Sequence, residues 1–275
     1  MRHLLSSVLA PCLTMCLALL FAFQLQAQTL SSDNNNDGCV NLDDLLNVLS
    51  EYGLCSAFEC GVQVPHDGYY YSTVQIGDQC WFSENCRYLP EVSPSSQGSE
   101  TELNYSVYDY QGSDVEAAKE TLNYLTYGVL YNWLAVMTGD ICPSGWHIPS
   151  DEEFTQLTNF LGEDAGYAMK STTGWNGSYK GTSGGGSNRS GFNGLPGGMR
   201  WRGSQFDSYP GGFEGNGYDN ESYAPSGLLG VTGYWWTSTT VGRVAKRRRL
   251  FNSNDDIWQD VANKYMGHSA RCVRD

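Results

Sequence analysis

"CPSGWHIPSDEEF", Cys142 to Phe154, is the stretch on which the reading of the chain turns. It sets a cysteine, two prolines, a glycine, a tryptophan and a histidine ahead of an acidic run. That is either an active site or a structural corner, and the corner accounts for every residue. Ser150 and Glu153 have capping-box spacing: the serine hydroxyl accepts from the Glu153 amide, and the glutamate reaches back to the Ser150 amide. Asp151, Glu152 and Glu153 suit the positive end of a helix. Phe154, Leu157 and Leu161 then share one helical face, with Gly162 as the stop. Ile148 can staple onto Phe154. Pro143 and Pro149 fix the approach, Gly145 allows a turn, and Trp146 is expected in the core. His147 is accordingly read as a hydrogen-bonded or surface side chain, not a general base, and Cys142 as an oxidised cysteine, not a nucleophile.

Outward from this corner, "GYYYSTVQIGDQCWFSEN" (Gly68 to Asn85) carries strand signals. Tyr69, Tyr71 and Thr73 alternate, a Gly-Asp turn follows Ile76, and a second aromatic run follows the turn. The expectation is a hairpin with Ile76 and Trp81 facing the core. Pro90 to Gly112 is polar and reads as a loop. "YGVLYNWLAV" (Tyr127 to Val136) repeats its apolar residues at helical spacing and is expected to form one buried helix. Ser171 to Ser226 is glycine-rich and studded with aromatics, and holds neither period. A long loop of this kind in a compact domain tends to be functional. "GYWWTST" (Gly233 to Thr239) returns to strand. "RVAKRRRLF" (Arg243 to Phe251) alternates enough for a strand exposed on one face, its basic residues either solvated or paired with acids. "GHSARCVRD" gives a last strand.

The first residues bound the rest. Arg2, an apolar run from about Leu13 to Phe23 and Ala27 have the form of a secretory signal peptide over 1–27. No other apolar stretch is long enough to suggest a membrane span, so the chain is expected to be secreted or held at the cell surface. The 275 residues carry 16 Lys+Arg against 30 Asp+Glu, a net charge of −14. Such an acidic balance argues against nonspecific nucleic-acid binding. Beyond the leader the cysteines are Cys39, Cys55, Cys60, Cys80, Cys86, Cys142 and Cys272. In an exported chain these are expected as bridges, with one thiol left over.

"DNNNDGCVNLDD" (Asp33 to Asp44) spaces oxygen ligands as a calcium loop does: Asp33, Asn35, Asp37, the Cys39 carbonyl, Asn41 and Asp44, with Gly38 at the sharp turn. An apolar helix pattern follows to Tyr52-Gly53. Residues 28–54 resemble one half of a dockerin repeat, with a structural calcium ion as the expected cofactor. Residues 55–66 read as a linker and 67–275 as the main domain.

Taken in order, "VQIGDQCWFSEN", "YGVLYNWLAV", "CPSGWHIPSDEEFTQL", "SGFNGLPGGMR", "GYWWTST" and "GHSARCVRD" resemble the Fibrobacter succinogenes major paralogous domain family. The opening corner is also similar to the matching segment of formylglycine-generating-enzyme-like and C-type-lectin-like folds. The resemblance implies an α+β domain of C-type-lectin-like form, with two helices, short antiparallel sheets, a long glycine-rich loop region and its termini in one sheet. It further suggests a Cys142–Cys272 bridge. Cys80 and Cys86 depart from the family pattern, and a local bridge between them is the expectation. The family implies export and no known activity, so no catalytic residue is transferred. The expected function is binding of a polysaccharide or a surface protein through Trp201, Arg202, Phe206, Tyr209, Phe213 and Tyr218, whose rings can stack on sugars or anchor protein contacts. The alternatives are formylglycine-type catalysis and an adhesin role docked through the calcium loop.

Overall fold

A computed structural model of the chain describes residues 39–51, 58–93, 98–177, 184–201 and 229–274. The chain divides into two compact units, Met1–Phe58 and Glu59–Asp275. In the first, helix α1 spans Leu42–Glu51. The Asn41 side chain accepts from the Asp43 amide at 2.6 Å, and Asp44 Oδ2 accepts from the Asn41 amide at 2.8 Å. These two reciprocal bonds satisfy amides that the first helical turn leaves open.

The second unit is mixed α and β, built of small antiparallel sheets. Strands β1 (Val64–His66) and β2 (Tyr69–Tyr71) form a hairpin. Its turn, Asp67-Gly68, has positive φ at both residues, 47° and 74°, as a tight two-residue hairpin turn requires. Strands β3 (Thr73–Ile76) and β4 (Gln79–Phe82) pair next, and β10 (Val273–Arg274) joins on the other side of β4, so the chain's last strand lies beside one of its first. Ile76 and Trp81 both face the core, as the hairpin pattern indicated. Two further sheets form among the described residues: β5 (Tyr105–Ser106) with β6 (Leu130–Tyr131), and β7 (Thr232–Val241), β8 (Val244–Phe251) and β9 (Ile257–Asn263) in that order.

The helices are α2 (Val115–Lys119), α3 (Leu122–Tyr127), α4 (Trp133–Val136), α5 (Asp151–Leu161) and α6 (Ala165–Met169). The expectation of two helices is therefore too low: the unit has five among its described residues, four of them short. α5 begins with the capping box read from the sequence, Ser150 with Glu153. Its Phe154 and Leu157 enter one core with Ile76, Trp81, Met169, Phe192, Trp235, Leu250 and Val273. Phe192 stands edge-on to Trp81 at 5.9 Å and to Trp235 at 5.5 Å. That ring pins part of the glycine-rich region to the core.

Four other expectations are corrected. Tyr127–Val136 is not one helix. Gly128 has φ 75°, and a Cβ there would stand 2.5 Å from the Cys86 carbonyl oxygen, so the chain turns, enters β6 and starts α4 afresh on an Asn132 cap. β8 is not open on one face, because Arg247, Arg248 and Arg249 are all buried. Asp260 pairs with Arg247 and Arg249, and Asp151 with Arg248. The expected Cys80–Cys86 bridge is absent: Cys80 is bonded to Cys60, and Cys86 is a buried thiol. β3–β4 pairing runs through Cys80 and Phe82 continues the strand, which carries Cys86 on toward Ala270 and away from Cys80. The Cys60–Cys80 bond and the β1–β2 pairing also attach residues 60–66 to this unit, where the sequence suggested a linker.

Candidate functional site

A cleft of about 400 Å³ opens between the β1–β2 turn and the segment leading to α5, lined by His66, Asp67, Tyr88, Gly139, Asp140, Cys142, Pro143 and Ser144. Each wall is fixed from below. His66 closes β1, and its Nε2 hydrogen-bonds the Asp140 carbonyl at 2.7 Å, which ties the hairpin to the opposite wall. The His66 ring stacks on Tyr88 with centroids 6.0 Å apart, and Tyr88 meets Tyr105 edge-on at 6.2 Å. The Tyr131 hydroxyl donates to the Tyr88 carbonyl at 2.9 Å. Gly139, with φ 87°, turns the chain after α4. The Cys142–Cys272 disulfide, with Cα atoms 5.8 Å apart, anchors the far wall to the residue before β10. The backbone of His147 bridges Val273 in both directions just beyond it.

The cleft combines one half-buried phenol ring, an imidazole, a hydroxyl from Ser144 and the exposed acidic residues Asp67 and Asp140. Burial raises the Tyr88 hydroxyl above its usual range, and the Asp140 and Asp67 carboxylates add to that by disfavouring a second negative charge. The phenol therefore stays protonated and can donate. An aromatic face next to carboxylate acceptors suits a ligand with an apolar ring face and several hydroxyl groups.

The residues singled out from the sequence fall elsewhere. Cys39, Asn41 and Asp44 lie in the first unit, where Asn41 and Asp44 cap α1. Asp33, Asn35 and Asp37 are outside the described residues. Trp201 is half-buried at the end of a described segment, directly after the buried Arg200. Arg202, Phe206, Tyr209, Phe213 and Tyr218 are outside the described residues. His147 is exposed and pairs with Glu153 Oε1 at 2.5 Å, so it serves the α5 corner and does not enter the cleft.

His66, Asp67, Tyr88 and Asp140 were not found as a set by sequence reasoning. The Asp67-Gly68 turn signal was there to be read, but nothing in a linear pattern joins it to Tyr88 or Asp140.

Against known proteins, the family model for the Fibrobacter succinogenes major domain matches residues 74–274. No curated protein and no solved structure matches the chain.

Proposed function

We propose, on the premise that the chain belongs to the Fibrobacter succinogenes major domain family, that it is an exported binding module that recognises polysaccharide through the Tyr88 cleft. The observation that carries this reading is the cleft itself: a phenol ring and two acidic side chains on walls held by a disulfide, a hairpin and a ring stack. Sugar rings present an apolar face to aromatics and hydroxyls to carboxylates, so both halves of the lining have a use. Tyr88, Asp140, Cys142, Pro143 and Ser144 lie inside the family match, whereas His66 and Asp67 precede it. The family would then supply one wall, and this chain's own hairpin the other.

The finer parts of the reading follow the same line. The arrangement of α5, the small sheets and the joined chain ends supports a C-type-lectin-like architecture. The aromatics Trp201, Phe206, Tyr209, Phe213 and Tyr218, with Arg202, are the second candidate set for ligand contact, since such rings can stack on sugars. Asp33 to Asp44 holds a structural calcium ion in the first unit.

The test is retention of residues 28–275 on insoluble polysaccharides and peptidoglycan, with calcium and then with EDTA. Retention in both conditions, lost on Tyr88→Ala, is the expected result. Retention lost with EDTA alone would move the site to the calcium loop. Retention insensitive to Tyr88 and lost with Trp201→Ala would move it to the aromatic loops. No retention on any glycan overturns the polysaccharide reading and leaves a surface protein as the partner to seek.

A further inference from the structure

Cys86 Sγ stands 3.5 Å from Cys272 Sγ, which is itself bonded to Cys142. Three sulfurs thus lie together, one of them a thiol in contact with a disulfide. Thiol–disulfide exchange needs that contact and no other reagent. The thiol is held in place from both sides of its backbone: the Cys86 amide donates to Ala270 O at 2.9 Å, and the Cys86 carbonyl accepts from Val129 at 3.1 Å.

We propose that Cys86, Cys142 and Cys272 form an exchange unit in which the disulfide moves from Cys142–Cys272 to Cys86–Cys272 and delivers a free Cys142 thiol to the cleft. The Cys86 thiolate forms a bond to Cys272 Sγ. The Cys272–Cys142 bond breaks, and its electron pair leaves on Cys142 Sγ. Cys142 takes up one proton for the one that Cys86 lost, so no oxidant or reductant is consumed. The chemistry is independent of what the cleft binds.

The surroundings set its direction and rate. Arg271 and Arg87, both buried, face Cys86 as cations, Glu84 as an anion, and Tyr71 and Tyr131 as phenols. Arg271 spends its guanidinium on the Asn85 side chain at 2.8 Å and on the Phe192 carbonyl, both neutral acceptors. Burial lowers Arg271 to about 9, so below that pH a thiolate at Cys86 would meet positive charge. Burial nonetheless pushes the Cys86 thiol up to about 12, with Arg271 and Arg87 pulling the other way. The thiolate fraction below that value grows about tenfold per pH unit, so exchange is slow near neutrality and accelerates as the pH rises. Cys142 is 7% exposed and lines the cleft, whereas Cys86 is at 0%. The departing thiolate thus reaches water, and a better-solvated leaving thiolate favours the exchanged pairing.

The experiment labels the native, full mature chain with N-ethylmaleimide at about pH 7 and about pH 8.5, then unfolds it in acid and maps the disulfide and labelled peptides. The map separates the three sulfurs from Cys39 and Cys55. The expected result is label on Cys142 with a Cys86–Cys272 peptide pair, rising about tenfold per pH unit. In Cys86→Ser the Cys142 label falls about tenfold or more and Cys142–Cys272 persists. Cys86→Ala serves equally where a buried hydroxyl prevents folding. Cys142 left unlabelled at both pH values, with the Cys142–Cys272 peptide pair intact, overturns the proposal. So does Cys142 labelling that is unchanged in both Cys86 variants, because the bond would then open without Cys86.

Discussion

At the scale of single residues, the second unit is organised by buried charges in matched sets. Asp151, the first residue of α5, accepts from Lys246 at 2.7 Å, Arg248 at 3.0 Å and Gln259 at 2.7 Å. It therefore joins the corner to both β8 and β9. Asp151→Ala leaves Arg248, 5% exposed, without its carboxylate, and is expected to cost about 3–5 kcal/mol in urea unfolding. A loss under about 1 kcal/mol would mean that Arg248 is wetter than its burial suggests. His268 gives the pH dependence. It stacks on Tyr234 at 5.0 Å and accepts at Nε2 from Arg247 at 3.2 Å. Burial, reinforced by Arg247, holds its pKa well below 6.5. The unfolded chain therefore binds more protons just below 6.5, and His268 makes stability fall as pH drops through that value, by at most about 1.4 kcal/mol per unit. Comparing the pH 7-to-5 stability slope of the wild type and His268→Gln measures it, and the variant's slope should be flatter. Little of this was legible in the sequence. The "KRRRL" strand read as either solvated or acid-paired, and its partners could not be named because Asp151 sits 97 residues upstream of Arg248 and Asp260 13 downstream of Arg247, beyond any local window.

At the scale of elements, local signals were read correctly where they are complete in themselves. Ser150 to Gly162 contains its own cap, face and stop, and α5 follows them residue by residue. Ser150→Ala removes the side-chain acceptor for the Glu153 amide at 3.2 Å. It is expected to cost about 1 kcal/mol, read as a lowered urea midpoint with the same slope. A changed slope would point to a wider unfolding of the corner. The Gly77-Asp78 turn was equally self-contained. The stretch Tyr127–Val136 failed for the opposite reason. Its apolar spacing suits a helix, but Gly128 must approach the Cys86 carbonyl, and residues 130–131 are claimed by pairing with β5. Tertiary contact outweighed periodicity there.

At the scale of the molecule, the chain ends of the second unit are held together. β10 pairs with β4, and the Cys142–Cys272 bond closes a span of 130 residues. Replacing both cysteines by alanine is expected to lower stability by about 4–5 kcal/mol in the chain-entropy treatment, measured by urea unfolding. A loss below about 1 kcal/mol would show that the unfolded chain is already compact without the bond. The resemblance of six separated motifs made this architecture readable in outline. The cleft was not, because it forms where the β1–β2 hairpin meets residues 139–144, and residues 55–66 read as no more than a linker. The central claim is that Tyr88 makes that cleft a sugar site. The most direct measurement is the affinity of wild type, Tyr88→Phe and Tyr88→Ala for the polysaccharide that retains the protein. The account predicts near-wild-type binding for phenylalanine, which keeps the ring face, and a loss of about tenfold or more for alanine. Equal affinity for all three proteins would contradict it.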